Sequence, residues 1–282
     1  MGNSTENTWE CGDNGSNVVA TLDGDDVLLV EGNGGMVISD FGQDEVPDWR
    51  LAEKVIIRDG ITSVAKGAFR YCFGLTSMVI PASVMSFNCS FKDCPNLRSI
   101  KVDGNNPNYC SVDDVLFNKN KTTLVRYPPN KAEQHYTIPK TVTVIAEYAF
   151  YDCKNLTAID IPDTVVRIER GAFSGSAIKS VHIGNNVISV EDHAFEDCEN
   201  IADITISNHT THIGELAFFG CGSGQDVDMF SVTCLCFTPP TLGKDAFGIS
   251  KEKFSLRVPK GCRKYYEKDP LWEKLAFEIK EI

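Results

Sequence analysis

Short apolar runs interrupted by single polar residues recur along most of the chain: LTSMVIP from Leu75, LRSIKV from Leu97, LTAIDIP from Leu156, IKSVHI from Ile178 and IADITI from Ile201. Large aliphatic side chains alternate with small or polar ones, the mark of a strand with one buried face. In the third run the alternation puts Leu156, Ile159 and Ile161 inward and leaves Ala158 and Asp160 to solvent. Pro81, Pro139 and Pro162 close such runs, since proline offers no ladder donor and keeps the preceding isoleucine extended.

A second apolar pair follows, as in Val142/Ile145, Val165/Ile168 and Val187/Val190, and then the dipeptide Ala-Phe. It stands at Ala68-Phe69, Ala149-Phe150, Ala172-Phe173, Ala194-Phe195, Ala217-Phe218 and Ala246-Phe247, with Ser90-Phe91 a near match. The spacing is 22 residues from Phe69 to Phe91, 23 from Phe150 to Phe173, 22 to Phe195 and 23 to Phe218. Cysteine follows the phenylalanine by three at Cys72, Cys94, Cys153, Cys198 and Cys221, giving the unit LxxIxI(P)xxVxxIxxxAFxxCxN.

A unit this short cannot bury its own apolar face and must stack on copies of itself, one strand per turn. The fold class expected is therefore a leucine-rich-repeat solenoid, dominated by β structure, with a parallel sheet of short strands on one face and a cap at each end. The phenylalanines should stack as a spine on the opposite wall, with alanine leaving room for the backbone beside it. Asn96, Asn155 and Asn200 are placed to form a ladder at the turn into the strand.

Three parts are expected along the chain. Residues 1–52 form a small antiparallel cap, in which VVATL and DVLLVEG are separated by glycine-containing turns. Residues 53–230 carry the repeats, with a long hairpin-like unit at about 103–137 whose NKNK segment makes the turn. Residues 231–282 hold a last repeat and a C-terminal cap, in which Tyr265, Tyr266, Trp272 and Phe277 seal the final coil beside a short helix broken at Pro270.

Charge narrows the function. A net charge of -12 with no run of Lys or Arg repels phosphate backbones, so nucleic acid is not an expected partner. No apolar stretch is long enough for a membrane helix. The start, MGNSTENTWE, lacks the regions of a secretory signal, so the chain either stays inside its cell or has had its signal removed; Glu6 also breaks the myristoylation pattern.

These motifs resemble the BspA-like leucine-rich-repeat family of bacterial surface proteins of gut and oral anaerobes, found also in some parasitic protists. IPDTVVRIERGAF and AFEDCEN match its unit, NPNYCSVDDVLFNKNKTTLVRYP its long variant unit, and FTPPTLGKDAF, LRVPKGCRKYY and LWEKL its usual ending. Thr210 departs from it in an aliphatic place, Ser176 replaces the unit cysteine within a shortened SGSAI turn, and Asp114 stands where the hairpin usually has glycine. The resemblance implies a non-enzymatic binding or adhesion module at the cell surface or outside the cell, in some cases directed at host extracellular glycoproteins. The alternative is a structural spacer within a larger surface assembly.

The residues offer little else. Eleven cysteines and five histidines show neither paired CxxC spacing nor the Cys/His spacing of a zinc site, so no metal or cofactor is expected. The periodic cysteines should fill small buried slots as compact hydrophobes. EGNGGM lacks the pattern of a phosphate loop, and the sequons at Asn3, Asn88, Asn120, Asn155 and Asn208 are read as accidental. Solvent-facing strand positions align as Ile56, Val79, Lys101, Thr137, Asp160, His182 and Thr205, the candidate binding face for a protein or glycan. Within it, Ser180, His182 and Asp160 suggest a hydrolytic triad, but residues i and i+2 on a strand are held about 6–7 Å apart, too far for the base to reach the nucleophile. The expected outcome is an exposed acid-histidine pair between Asp160 and His182, with no enzyme.

Overall fold

A computed structural model describes residues 7–13, 15–37, 48–87, 91, 93–227, 229–248 and 254–282. Ser90 and the sequon residues Asn3 and Asn88 lie outside these. The chain divides into two units, Met1–Lys121 with Val125–Lys131, and Thr122–Leu124 with Ala132–Ile282.

The first unit starts with an antiparallel meander of β1 (Thr8–Glu10), β2 (Val19–Leu22) and β3 (Val27–Glu31). From β3 onward the ladder is parallel, through β4 (Lys54–Ile57), β5 (Ser77–Ile80) and β6 (Ser99–Val102). Val55, Met78 and Ile100 pair in register and are fully buried, which is the inward half of the alternation. Trp49 joins this core, meeting Trp9 edge-on at 5.1 Å between ring centres.

The long unit folds as an antiparallel hairpin of β7 (Tyr109–Val112) and β8 (Val115–Asn118). Its tight turn falls at Asp113-Asp114, whose φ values of 47° and 64° are those of a type I′ turn, rather than at NKNK. Aspartate tolerates this left-handed backbone better than most residues, so glycine is not required at Asp114. Its carboxylate also accepts from the Ser99 hydroxyl at 2.6 Å. NKNK makes a second turn, closed by the Lys121 amide on the Asn118 carbonyl.

In the second unit one parallel ladder pairs β9 (His135–Thr137) with β10 (Ala158–Asp160). A longer one runs through β11 (Ser180–His182), β12 (Asp203–Ile206), β13 (Ser231–Cys234), β14 (Phe254–Val258) and β15 (Ala276–Glu281). Two-residue strands at Val144–Ile145, Arg167–Ile168, Ser189–Val190, His212–Ile213 and Thr241–Leu242 make another wall. The parallel sheets of short strands predicted from the alternation are thus present.

The Ala-Phe dipeptides make a third wall, and the period has its explanation there. Phe150, Phe173, Phe195, Phe218 and Phe247 stack with centroids 4.8, 4.8, 5.1 and 5.0 Å apart and planes within 15° of parallel. Beneath the rings the amide of each phenylalanine donates to the alanine carbonyl of the next coil, Phe150 to Ala172, Phe173 to Ala194, Phe195 to Ala217 and Phe218 to Ala246, at 2.6–2.7 Å. Buried alanine lets the backbones come this close. The residue before each alanine, Tyr148, Gly171, His193, Leu216 or Asp245, takes a left-handed φ between 51° and 60°, which turns the chain into the wall.

Cysteine does more than fill space. The Cys94 thiol donates to the Phe69 carbonyl at 2.9 Å, Cys198 to Phe173 at 3.1 Å and Cys221 to Phe195 at 3.2 Å. Each thus satisfies a spine carbonyl in the coil before it. At the departures from the unit, Ser176 contacts Cys198 through Oγ and Sγ at 3.3 Å, and Thr210 donates to the Val187 carbonyl at 2.9 Å. Both buried hydroxyls are therefore satisfied.

The C-terminal segment has two four-residue helices on either side of Pro270, α1 (Arg263–Tyr266) and α2 (Trp272–Leu275). Tyr266 donates to the Cys236 carbonyl at 2.8 Å, and the Trp272 indole to the Pro240 carbonyl at 2.9 Å. Trp272 also packs on Phe247, the last ring of the spine. Only two of the four aromatics expected to seal the coil do so, because Tyr265 and Phe277 remain 47% and 55% exposed. Tyr265 and buried Tyr266 are adjacent in a helix and cannot both face inward.

Candidate binding face

The outward side chains of the ladders form rows, because a parallel strand sets each residue beside its equivalent one coil on. In the first unit Ile56 pairs with Val79 and Val79 with Lys101; the two aliphatics are half-buried and Lys101 is exposed. Leu29 precedes Ile56 in the same row, a member that the sequence pattern did not place. In the second unit Thr137 pairs with Asp160, and His182 with Thr205. From Thr205 the row continues through Thr233, Arg257 and Lys280, which sequence reasoning missed. Their spacings of 28, 24 and 23 residues break the regular period at its first step, and the last Ala-Phe, Ala276-Phe277, lies within β15 itself.

Asp160 is the most organised exposed group on this face. Its Oδ2 accepts from the Thr137 hydroxyl at 2.8 Å and lies 2.8 Å from His135 Nε2. The Thr137 bond, and then the His135 bond and charge, hold its carboxyl below the usual aspartate range. This corrects the expected Asp160-His182 pair. His135 lies two residues before Thr137 on β9 and reaches across to the carboxylate, while His182 lies near Asp163, whose carboxyl is lowered first by the Asn185 amide and also by the His182 charge. Ser180 and His182 are both exposed on β11, with Asp160 engaged elsewhere, so the three groups do not assemble as a triad. Among the described residues no cluster of His, Cys, Asp and Glu is placed to hold a metal ion. No described helix is long and apolar enough to cross a membrane.

The shortened SGSAI turn leaves an open groove of about 400 Å³. Asp152 and Lys154 line one side and Asp197, Glu199 and Asn200 the other, over Gly175. Lys154 Nζ spans it, 2.5 Å from the Gly175 carbonyl and 2.9 Å from Asp152. The missing residue at this turn was the available signal for the groove. Asn96, the one ladder asparagine of the first unit, donates to the Phe73 carbonyl at 2.6 Å as such a residue should.

Residues 49–133 and 129–235 match, in six copies, the family described as BspA type leucine rich repeat region. The chain belongs to the BspA-type leucine-rich-repeat family. Among solved structures, this BspA-type chain is similar to the pneumococcal vaccine antigen PcpA, with a TM-score of 0.55 and 14% identity over 96% of this chain and 98% of that one. Identity this low shows a shared fold. A leucine-rich repeat protein from Eubacterium ventriosum ATCC 27560 is 21% identical over 81% of this chain and 78% of its own, with a TM-score of 0.43. A leucine rich cell surface protein from Faecalibacterium prausnitzii A2-165 is 16% identical over 95% and 98%, with a TM-score of 0.44. No curated protein matches significantly.

Proposed function

We propose that this BspA-type leucine-rich-repeat protein is an exported or cell-surface module without catalytic activity. It binds a protein or glycan partner, host extracellular glycoproteins included, through the outward face of its parallel ladders. The observation that carries this reading is the row His182, Thr205, Thr233, Arg257 and Lys280, five successive strands held in register. At about 4.8 Å per strand the row extends for about 19 Å without a gap. Imidazole, hydroxyl and cationic groups stand on a backbone fixed by its own ladder, so little ordering entropy opposes binding. Such a surface suits an extended ligand with acidic or hydroxyl groups. Asp160, with its hydrogen bonds already made, adds a preorganised acceptor on β10.

The test begins with purified protein immobilised against solubilised mucosal and extracellular-matrix extract, with captured partners identified and their affinity measured. Lys101→Glu, Asp160→Ala, His182→Ala and Arg257→Glu should each weaken the captured partner's binding while leaving the melting temperature unchanged. Affinity that is the same in all four variants would show that the ladder face is the wrong surface.

A further inference from the structure

The five-strand ladder of the second unit ends at β15, which among the described residues has a strand partner on one side only. The Ile282 amide donates to Val258 at 2.9 Å, and its carbonyl accepts from the Lys260 amide at 3.1 Å. Backbone groups alternate in direction along a strand, so Ile279 and Glu281 turn theirs to the open edge. This edge is flanked by Phe277 and Ile282, which are 55% and 59% exposed. Natural edges are usually blunted, often by lysine, because a bare edge recruits another strand. Lys280 lies here, but with Glu278 two residues before it, 2.7 Å from its ammonium.

We propose that the occupant of this edge is a second copy of the same strand, antiparallel, with Ile279 opposite Ile279 of the other copy. The sequence AFEIKE makes this register self-complementary. With Ile279 on the two-fold axis, Glu278 of each copy faces Lys280 of the other, so the edge lysine that discourages foreign strands selects its own. The backbone agrees with the side chains. Ile279 already turns its amide and carbonyl outward, so the two copies exchange a pair of hydrogen bonds at the axis. Glu278 and Lys280 then fall at the non-hydrogen-bonded positions, where side chains across a pair come closest. Phe277 meets Glu281 of the other copy, and the apolar side chains at both ends of the strand leave water. This inference does not rest on the binding function proposed above, although Lys280 belongs to both surfaces.

The experiment is sedimentation velocity on the full chain over a concentration series into the high micromolar range, where a monomer-dimer equilibrium is expected. Lys280→Glu alone and Glu278→Lys alone each set like charges opposite one another twice, and each should weaken dimerisation by about tenfold or more. Mixed in equal amounts, the two variants should form a heterodimer, because every facing pair is then opposite in sign. Ile279→Pro should leave a folded monomer, since the amide it removes faces out of the ladder; an unchanged melting temperature checks the fold. A wild-type chain that stays monomeric throughout overturns the proposal and leaves the edge to an unrelated partner. A dimer indifferent to the charge reversals, or two reversed variants that ignore one another on mixing, overturns it also.

Discussion

The spine predicts a sharp response at Phe195. This ring is fully buried and stacked on both faces, 4.8 Å from Phe173 with planes 4° apart and 5.1 Å from Phe218 with planes 8° apart. Phe195→Ala deletes the whole ring between two neighbours whose own backbones are pinned by hydrogen bonds to the next coil, so the wall cannot close over the void. The expected cost is about 4 kcal/mol, the usual range for an aromatic removed from a core that does not relax. Phe195→Leu keeps much of the volume and should cost about 1.5 kcal/mol. Solenoids lose stability locally, because each coil contacts only its neighbours. The informative assay is therefore native-state hydrogen exchange at the Phe173 and Phe195 amides, which donate to Ala194 and Ala217. Both should lose protection strongly in Phe195→Ala. If that variant loses less than about 1 kcal/mol, or if the loss is no greater than in an exposed control such as His212→Ala, the stack does not hold the coils together.

Other outcomes follow from single residues. Burial pushes the Cys198 thiol up to about 12 and Cys11 up to about 11. Both should therefore resist alkylation in the native protein at pH 8 and react on unfolding. These folded-state values lie above the unfolded thiol, so the neutral form stabilises the fold fully below about pH 9 and the contribution is lost as pH rises from there towards 12. Urea titrations at pH 8 and pH 10.5 should show this loss, with a smaller pH effect in Cys198→Ala. Gly171 has φ of 60°, and a Cβ there would lie 2.3 Å from the Tyr148 ring. Gly171→Ala should cost about 2 kcal/mol in denaturant titration, and Tyr148→Ala in the same chain should recover the steric part. Tyr266→Phe leaves the buried Cys236 carbonyl without its hydroxyl donor and should lower stability by about 1.5 kcal/mol, read as a drop in melting temperature.

The recurring motif could be read from the chain because a solenoid turns spatial neighbours into positions 22 or 23 apart, so each contact is written again in every coil. Alternation identified the buried faces of β10 and β12, and the return of Ala-Phe identified the stacked wall. The type I′ turn at Asp113-Asp114 was hidden because left-handed backbone in a non-glycine residue leaves no mark in a hydrophobic pattern. Thr233, Arg257 and Lys280 were hidden because the 28-residue step from Thr205 to Thr233 breaks the period that indexes the row.

The sequence by itself determined the repeat, the parallel ladders and the aromatic spine, since burial imposes an apolar side chain at each inward position. Only the tertiary structure decided that Asp160 is held by Thr137 and His135 instead of His182, and that thiols satisfy the spine carbonyls. It alone showed that β15, among the described residues, has a strand partner on one side only. These are matters of side-chain rotamer and hydrogen-bond direction at positions where no hydrophobic pattern dictates the residue, and there the chain sets which groups are near but not which of them meet.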